Sequence, residues 1–239
     1  YILTLCEDSQ GWIWIGTARG LCYYLPDNDY FGTIENENYK IDRAVVDIVA
    51  DNNNNIWLAT FTGTYQYSKQ TGKLTFYPGS EYFLPNKFTL TNAGDIWISA
   101  ADGSIYKYNS RTDDFTGYRI LTDKEIASSV MLGEIVDAGN SGFLISTNTA
   151  GLRLFEPNSG NVTSPLENDS KLHNNIIINS IQLFENGDIW IGSESGIHIY
   201  NLETGFVKSL QMVPTDPYSL SNNAVRFLYR DREGGVWAG

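Results

Sequence analysis

Short apolar runs separated by polar and glycine-rich turns recur along the whole chain. The clearest copy contains four such runs in succession, at residues 177–184, 188–192, 197–200 and 206–210. Each run has the length of a β-strand, and the segments between them are rich in the Asn, Gly, Ser and Thr residues that favour tight turns. The pattern therefore predicts a meander of four short antiparallel strands.

A tryptophan marks the second strand of nearly every copy of this meander. In five copies it follows a β-branched residue just after a turn, at Trp14, Trp57, Trp97, Trp190 and Trp237. In the remaining copy Leu144 takes its place. The copies are spaced by roughly 40 to 47 residues, which is the period of a four-stranded propeller blade. The sequence therefore predicts an all-β fold, a β-propeller built of four-stranded antiparallel blades.

The repeats predict about five and a half blades of a seven-bladed ring, forming a single propeller domain over residues 1–239. The blades are expected at residues 1–31, 44–77, 86–118, 130–164 and 176–210, with a partial blade at 222–239. Seven blades of this period need roughly 315 residues, and an open arc leaves strand edges unpaired. We therefore expect the chain to be a fragment of a longer protein.

A glycine recurs just before the third strand of each complete blade, at Gly20, Gly63, Gly103, Gly151 and Gly196. A backbone position that requires positive φ would explain this recurrence. The repeated tryptophans are expected to pack between blades, because large aromatic side chains supply much of the apolar burial in stacked repeats. Both sets are therefore interpreted as structural.

Three residues of the first blade need a separate interpretation. Trp12 occupies a position that a polar residue fills in three other blades, so it is expected to point to solvent or to a missing neighbour. Cys6 and Cys22 fall in the first and third strands, roughly 9.6 Å apart at the usual strand spacing. A disulfide tolerates a Cα separation of about 7 Å. The sequence therefore predicts two free thiols.

The chain is acidic, with 28 Asp and Glu residues against 16 Lys and Arg residues and a formal net charge of −12. Nucleic-acid affinity comes largely from Lys and Arg displacing counterions from phosphates, so DNA and RNA are not expected partners. The apolar runs are strand-sized and shorter than the roughly 18 to 20 residues of a membrane helix. Direct membrane insertion is therefore not expected.

Two segments closely resemble the two-component-regulator propeller repeat. They are residues 2–21, which contain the motif Gly-Trp-Ile-Trp-Ile-Gly-Thr, and residues 216–239, which contain Asp-Pro-Tyr-Ser-Leu-Ser-Asn-Asn and end in Gly-Gly-Val-Trp-Ala-Gly. The second, third and fifth copies fit with small departures, whereas the fourth lacks both the tryptophan and the Asp-x-x-Gly turn. The resemblance nevertheless covers nearly the whole chain.

This resemblance implies the periplasmic sensor region of hybrid two-component histidine kinases of Bacteroides-type bacteria. In that family two seven-bladed propellers and a small β-sandwich precede a membrane helix and the cytoplasmic kinase, receiver and DNA-binding parts. The implied stimulus is an oligosaccharide released from a polysaccharide. The implied partners are this ligand or the neighbouring propeller and β-sandwich of the same parent chain, and homodimerisation stays open. Because the kinase parts are missing from these residues, neither enzyme activity nor a cofactor is expected.

Ligands are expected at the loops of one mouth of the propeller, where the loops before the third strands and the connections between blades converge. The candidate ligand-binding residues in these segments are Arg19, Phe61, Asp102, Asn148, Glu194 and His173. The longer connections also carry Tyr39, Tyr82, Phe83 and Tyr218. Aromatic faces combined with polar groups suit a sugar, and they equally suit a partner domain.

No catalytic or metal site is predicted. His173 and His198 are too few and too scattered for a zinc site, and the Asp- and Asn-rich residues 51–55 are interpreted as a hairpin turn rather than a calcium loop. The strongest rival hypothesis is a propeller lyase of the streptogramin-inactivating type, which needs a metal and a histidine base near the central mouth. A third hypothesis is a structural interaction propeller that binds no small ligand.

Overall fold

The computed structural model describes residues 1–36, 39–41, 43–167, 169, 172, 176–231 and 233–239. The chain divides into two compact units, Tyr1–Arg119 and Ile120–Gly239, each of which is described by itself. Both units consist of antiparallel sheets whose strands follow one another in chain order. The all-β prediction with four-stranded antiparallel blades is confirmed, while the extent of one propeller over the whole chain stays a prediction.

The first unit contains three blades. Blade 1 consists of β1 (Ile2–Glu7), β2 (Ile13–Thr17), β3 (Gly20–Leu25) and β4 (Tyr30–Thr33), with a 3-10 turn at Pro26–Asn28. A small hairpin follows, formed by β5 (Glu35–Asn36) and β6 (Tyr39–Lys40). Blade 2 consists of β7 (Val45–Ala50), β8 (Asn55–Thr60), β9 (Gly63–Ser68) and β10 (Leu74–Phe76). The short helix α1 (Ser80–Phe83) leads to blade 3, which consists of β11 (Pro85–Leu90), β12 (Ile96–Ala100), β13 (Ser104–Asn109) and β14 (Asp114–Arg119).

The second unit contains two complete blades and one strand pair. Helix α2 (Asp123–Ala127) precedes blade 4, which consists of β15 (Leu132–Asp137), β16 (Phe143–Thr147), β17 (Leu152–Glu156) and β18 (Asn161–Thr163), with a 3-10 turn at Gly139–Ser141. Blade 5 consists of β19 (Ile178–Leu183), β20 (Asp188–Ser193), β21 (Gly196–Asn201) and β22 (Gly205–Leu210). The final pair is β23 (Leu228–Arg230) with β24 (Val236–Ala238).

An aspartate organises the turn before the repeated tryptophan. In blade 2, Oδ1 of Asp51 accepts hydrogen bonds from the backbone N–H groups of Asn53 and Asn55, both at 2.9 Å. Its Oδ2 accepts the indole N–H of Trp57 at 3.0 Å. The same pairing recurs in Asp8 with Trp14 at 2.9 Å and in Asp231 with Trp237 at 2.7 Å. The carboxylate therefore closes the hairpin and satisfies an indole donor at the same time.

The aromatic residues pack between blades within the first unit. Trp57 is fully buried, and its ring lies 5.2 Å from that of Tyr77 and 4.5 Å from that of Tyr108 in blade 3. Trp14 is equally buried and lies 5.8 Å from Tyr67 of blade 2. In contrast, Trp237 is 62% exposed, because the two-stranded sheet of β23 and β24 gives it little cover.

The expectation for Trp12 is wrong. Its ring is half-buried and stacks on Tyr23 at 5.1 Å. The ammonium group of Lys69, from the β9–β10 turn of blade 2, lies 3.9 Å from the centre of the Trp12 ring. Trp12 therefore points toward a neighbouring blade that is present, where a cation–π contact replaces solvent.

Both cysteines are free, as predicted. In the strand register Cys6 pairs with Trp14, whereas Cys22 pairs with Ile15. Because successive residues of a strand point to opposite faces of the sheet, the two thiols lie on opposite faces of blade 1.

All five recurrent glycines have positive φ, as predicted. At Gly63 a Cβ atom would lie 2.6 Å from the hydroxyl oxygen of Ser80, and at Gly196 it would lie 2.4 Å from the carbonyl oxygen of Leu210. These glycines are therefore required both by the backbone conformation and by the close approach of the following connection.

A polar side chain on the first strand of one blade binds the first strand of the next. In the first unit, the backbone N–H of Phe88 in β11 donates to Asp47 in β7 at 2.8 Å, and the hydroxyl of Thr4 in β1 donates to the same carboxylate at 3.3 Å. In the second unit, the backbone N–H of Ile181 in β19 donates to Glu134 in β15 at 2.7 Å. This recurring contact fixes neighbouring first strands against each other within each unit.

Candidate functional site

Three of the predicted ligand-binding residues lie in the first unit, in the loops between second and third strands. Arg19 is exposed, and its backbone N–H donates to the hydroxyl oxygen of Thr17 at 3.1 Å. Phe61 is 68% exposed. Asp102 is half-buried and makes several hydrogen bonds. Asp102 lines a groove of about 270 Å³, and Arg19 lines a smaller cavity of about 180 Å³ in blade 1.

Two further candidates lie in the second unit and are engaged by their own surroundings. Asn148 accepts the backbone N–H of Met131 at 2.8 Å and donates to the carbonyl of Ser129 at 3.1 Å. Glu194 forms an ion pair with Arg226 at 2.6 Å. These contacts hold local loops in place. The convergence of all the candidates at one mouth stays a prediction.

His173 lies outside the described residues, and so does the side chain of Tyr39. Tyr218 is 95% exposed at the tip of the connection before β23. Its backbone N–H donates to the carboxylate of Asp216 at 2.9 Å, so the tip is a closed turn.

A hydroxyl group fixes the loop before the third strand in four blades. Oγ1 of Thr60 donates to the carbonyl of Gly63 at 2.8 Å and accepts the backbone N–H of Thr62 at 3.2 Å. The hydroxyls of Thr17, Thr147 and Ser193 make the same contact with their own glycine carbonyls. Blade 3 has Ala100 at this position, and there Oδ1 of Asp102 accepts the backbone N–H of Ser104, the first residue of β13, instead. Asp102 is therefore a departure from the repeat.

Asp102 lines a groove of about 270 Å³ in the first unit, called here the blade 3 groove. It is lined by Pro78, Gly79, Ser80, Tyr82, Phe83, Asp102, Tyr106, Asp114 and Phe115. One wall is the connection that contains α1, and the other is formed by β13 and β14. The groove thus combines an inter-blade connection with a blade face, as ligand sites on rigid scaffolds commonly do.

The wall formed by α1 is held by hydrogen bonds to blade 2. The hydroxyl of Ser80, which is 1% exposed, donates to the carbonyl of Tyr77 at 2.6 Å and accepts the backbone N–H of Thr64 at 2.7 Å. On the other side, the backbone N–H of Ala101 donates to the carbonyl of Phe83 at 3.1 Å. Hydrogen bonds therefore anchor this wall to two blades.

The floor of the groove is aromatic. The ring of Phe83 stacks on that of Tyr106, with centroids 3.9 Å apart and planes inclined by 19°. Phe115 lies edge-on to Phe83 at 5.9 Å. Tyr82, next to this stack, is 84% exposed. The groove therefore offers one free aromatic ring beside a fixed aromatic floor.

Asp102 is held in one orientation. Its Oδ1 accepts the backbone N–H of Ser104 at 2.9 Å, and its Oδ2 accepts the hydroxyl of Tyr106 at 2.6 Å. Burial and the hydrogen bond to the Asp102 carboxylate raise the pKa of Tyr106 to about 12. The phenol therefore stays protonated and keeps donating to Asp102 at physiological pH.

His198 is the histidine that the structure describes, and it lies in a cluster of serine hydroxyls in blade 5. Its Nε2 lies 2.9 Å from the hydroxyl of Ser195 and 3.1 Å from that of Ser193. Its Nδ1 lies 2.7 Å from the hydroxyl of Ser209. Burial lowers the pKa of the His198 ring. Both ring nitrogens are thus engaged by protein hydroxyls, which favours a structural role over the metal-assisted base of the lyase hypothesis.

Replacing His198 by glutamine is expected to flatten the dependence of stability on pH. A histidine whose pKa is lowered in the folded state makes its full contribution to the free energy of unfolding at pH values above its ordinary pKa of about 6.5. This contribution is lost as the pH falls through the folded-state pKa. Denaturant unfolding of the wild type and of His198→Gln across mildly acidic pH measures the difference. If the free energy of unfolding changes equally with pH in the two proteins, the His198 ring is not buried in the neutral form.

Sequence reasoning found part of the groove and missed part of it. Asp102, Tyr82 and Phe83 were identified from their places in loops and connections. Tyr106 and Phe115 were missed, since both occupy strand positions at which aromatic residues recur for packing. The missing hydroxyl at Ala100 was the signal in the sequence that this loop differs from the others.

Two structural features are absent from the residues that the structure describes. No group of three or more His, Cys, Asp or Glu side chains there is placed to hold a metal ion. None of the helices in that part of the chain has the length and apolar character needed to cross a bilayer.

Comparison with known sequences supports the repeat identified above. Residues 1–19 match the family model described as two component regulator propeller. Histidine kinase P4 of Formosa agariphila is 26% identical to this chain over an alignment that covers 96% of the chain and 19% of that protein. The resemblance to two-component-regulator propeller repeats is confirmed. The chain spans about a fifth of the length of this curated relative.

Solved structures share the fold. The extracellular domain of a putative hybrid two component system from B. thetaiotaomicron superposes with a TM-score of 0.77 at 23% identity, covering 100% of this chain and 32% of that chain. Virginiamycin B lyase from Staphylococcus aureus superposes with a TM-score of 0.75 at 12% identity, covering 99% of this chain and 76% of that chain. Together with the four-stranded sheets, these likenesses establish the propeller fold.

Proposed function

We propose that this chain belongs to the extracytoplasmic, periplasmic sensor region of a two-component system, binds an oligosaccharide in the blade 3 groove and catalyses no reaction there. The family match at residues 1–19 and the similarity to a histidine kinase over 96% of the chain support the sensor role. The likeness to the extracellular domain of a hybrid two-component system supports the compartment.

The observation that carries the ligand class is the aromatic floor of the groove beside fixed polar groups. The faces of sugar rings present C–H groups that pack on aromatic side chains, and the hydroxyls need hydrogen-bond partners in the same site. The exposed ring of Tyr82 and the half-buried ring of Tyr106 supply the aromatic surface, while the carboxylates of Asp102 and Asp114 supply the hydrogen-bond partners. A wall that is already anchored by hydrogen bonds reduces the entropy lost on binding.

The placement of the two carboxylates supports binding rather than hydrolysis. Asp114 pairs with Asn109 at one end of β13, and Asp102 lies just before Ser104 at the other end. Five residues of strand separate these ends by about 16 Å. Glycosidases place their two catalytic carboxyl groups roughly 5 to 10 Å apart. The backbone positions that carry the two carboxylates are therefore farther apart than the carboxyl groups of such a catalytic pair.

Saturating concentrations of a bound linear oligosaccharide are expected to raise the unfolding midpoint of the full chain by about 5 °C or more, because the ligand stabilises only the folded state. Thermal unfolding against a panel of oligosaccharides measures this shift. Tyr82→Ala should weaken the binding roughly tenfold, since it removes the free aromatic ring.

Phe61→Ala is the matched control, because Phe61 is an exposed aromatic outside the groove. It should leave the ligand-induced shift unchanged. If Phe61→Ala reduces the ligand-induced shift more than Tyr82→Ala does, the ligand binds at the loop that contains Phe61 and not in the groove. Cooperative unfolding with no shift for any saccharide would contradict the proposal and favour a protein-interaction propeller.

A further inference from the structure

A second cavity, of about 390 Å³, lies where the hairpin turns of blades 1 and 2 meet, and is called here the turn cavity. Its lining residues lie in the β1–β2 turn, the β7–β8 turn, and the end of β9 with the β9–β10 turn, within segments 10–12, 53–54 and 67–70. In an antiparallel meander these turns lie at the end opposite to the loop between the second and third strands. The volume is within the usual range for ligand sites, roughly 300 to 1,000 Å³.

The turn cavity lies where blade 1 departs from the repeat at Trp12. In blade 2 the equivalent residue is Asn55, whose side-chain amide donates to the carboxylate of Asp51 at 2.9 Å. The side chain of Trp12 makes no such contact with its own turn carboxylate, and Asp8 pairs instead with Lys69 of blade 2. This ion pair joins the turns of two neighbouring blades beside the cavity.

Several side-chain donors and acceptors of the turn cavity have no partner among the described residues. The amides of Gln10, Asn53 and Gln70 make no hydrogen bond there, and all three residues are exposed. The same holds for the hydroxyl of Tyr67 and the indole N–H of Trp12, which belong to half-buried residues. In contrast, the recurrent tryptophans of blades 1 and 2 donate their indole N–H groups to their turn aspartates. The cavity therefore keeps five polar side chains available to a ligand.

The charge in the turn cavity is already compensated. Its charged lining residue is Lys69, whose ammonium is paired with Asp8 and lies 3.9 Å from the centre of the Trp12 ring. The Lys69 side chain is 9% exposed, so little of it can reach a ligand. An anionic ligand would approach against the formal net charge of −12, and a cationic ligand would meet another cation. The turn cavity therefore favours an uncharged ligand.

We infer that the turn cavity binds a neutral saccharide, as a second site separate from the blade 3 groove. Sugar hydroxyls both donate and accept hydrogen bonds, and so do the side-chain amides of Gln10, Asn53 and Gln70. The half-buried rings of Trp12 and Tyr67 supply apolar surface for the C–H groups of a sugar ring. The inference goes beyond the proposed function, because binding in the turn cavity requires no ligand in the blade 3 groove.

Side-chain NMR of the full chain tests the inference, because it detects the polar groups of the turn cavity directly. The probes are two neutral tetrasaccharides, cellotetraose and maltotetraose, and two charged ones, a glucosamine tetramer and tetragalacturonate. At least one neutral probe should give saturable shifts at the NH₂ groups of Gln10, Asn53 and Gln70 and at the indole N–H of Trp12. Both charged probes should bind there at least roughly tenfold more weakly, since the cavity compensates neither charge.

Asn53→Ala should weaken the binding of that neutral tetrasaccharide about fivefold, since one hydrogen-bonding side chain is lost. The signals of Gln10 and Gln70 report the affinity in this variant. Asn28→Ala is the matched control, because Asn28 is an exposed asparagine in the 3-10 turn of blade 1 and does not line the turn cavity. It should leave the affinity unchanged.

Two kinds of result would overturn the inference and leave the proposed function standing. The first is shift changes in the blade 3 groove with the turn cavity silent for every probe. The second is tighter binding of a charged probe in the turn cavity, or equal affinities of Asn53→Ala and Asn28→Ala for the neutral one. Silence of both sites with all four probes would count against the proposed function as well.

Discussion

Replacing Asp8 by alanine is expected to lower the free energy of unfolding by about 3 to 5 kcal/mol, the usual cost of breaking a buried ion pair from one side. The Asp8 side chain is fully buried and forms an ion pair with Lys69, whose side chain is 9% exposed. The carboxylate also accepts the indole N–H of Trp14 at 2.9 Å and the backbone N–H of Gln10 at 2.9 Å. Without it, a buried ammonium and two donors lose their partner.

Denaturant unfolding of Asp8→Ala measures this loss, and Asp231→Ala is the matched control. Asp231 makes the same indole contact with Trp237 at 2.7 Å, but Trp237 is 62% exposed, so water replaces the lost acceptor. The control should therefore lose far less stability. Adding Lys69→Met to Asp8→Ala should restore part of the loss, because it removes the unpaired charge. If Asp8→Ala and Asp231→Ala lower the free energy of unfolding equally, the burial of Asp8 does not account for its effect on stability.

The contribution of Asp8 should also depend on pH. Burial raises its pKa, but the hydrogen bonds from Lys69, Trp14 and two backbone amides outweigh burial and hold the pKa below its ordinary value. A carboxyl group with a lowered folded-state pKa stabilises the protein above its ordinary value of about 3.9, and this stabilisation is lost as the pH falls through the folded-state value. The difference between wild type and Asp8→Ala should therefore shrink in acid.

Replacing Trp57 by alanine is expected to cost about 3 to 5 kcal/mol, the range for a large aromatic residue removed from a closed core. Trp57 is fully buried and contacts the rings of Tyr77, Tyr108 and Phe115, so its loss opens a cavity between blades 2 and 3. Chemical denaturation gives the value. Trp237→Ala removes the same side chain from an exposed position and should change stability little. A small decrease in the free energy of unfolding of Trp57→Ala would contradict this expectation, because it would show that the neighbouring side chains fill the cavity between blades 2 and 3.

The repeat made the blades predictable because each blade is a local structure. A hairpin turn, a tryptophan and a glycine with positive φ all depend on residues a few positions apart, so Asp51, Trp57 and Gly63 could be interpreted without knowing their neighbours. Trp12 was misjudged for the opposite reason. Its position is set by Lys69 of the next blade, and no local pattern reports that contact.

The groove was only partly predictable for the same physical reason. Asp102 and Phe83 stand out because they lie in segments outside the strands, where structural demands on the side chain are weaker. Tyr106 lies on β13, where an aromatic residue is also needed for packing, and its second role appears only when Phe83 stacks on it. The hydrogen bonds that hold the Asp102 carboxylate in one orientation are likewise not evident from the sequence.

The most direct test of the account is backbone amide NMR of the full chain during titration with a linear oligosaccharide that raises its unfolding midpoint. Binding in the blade 3 groove predicts saturable chemical-shift changes at residues 78–83, 102–106 and 114–115, with little change in the loop at Phe61. Shift changes confined to residues outside these segments, with the groove silent at saturation, would contradict the central claim that this groove is the ligand site.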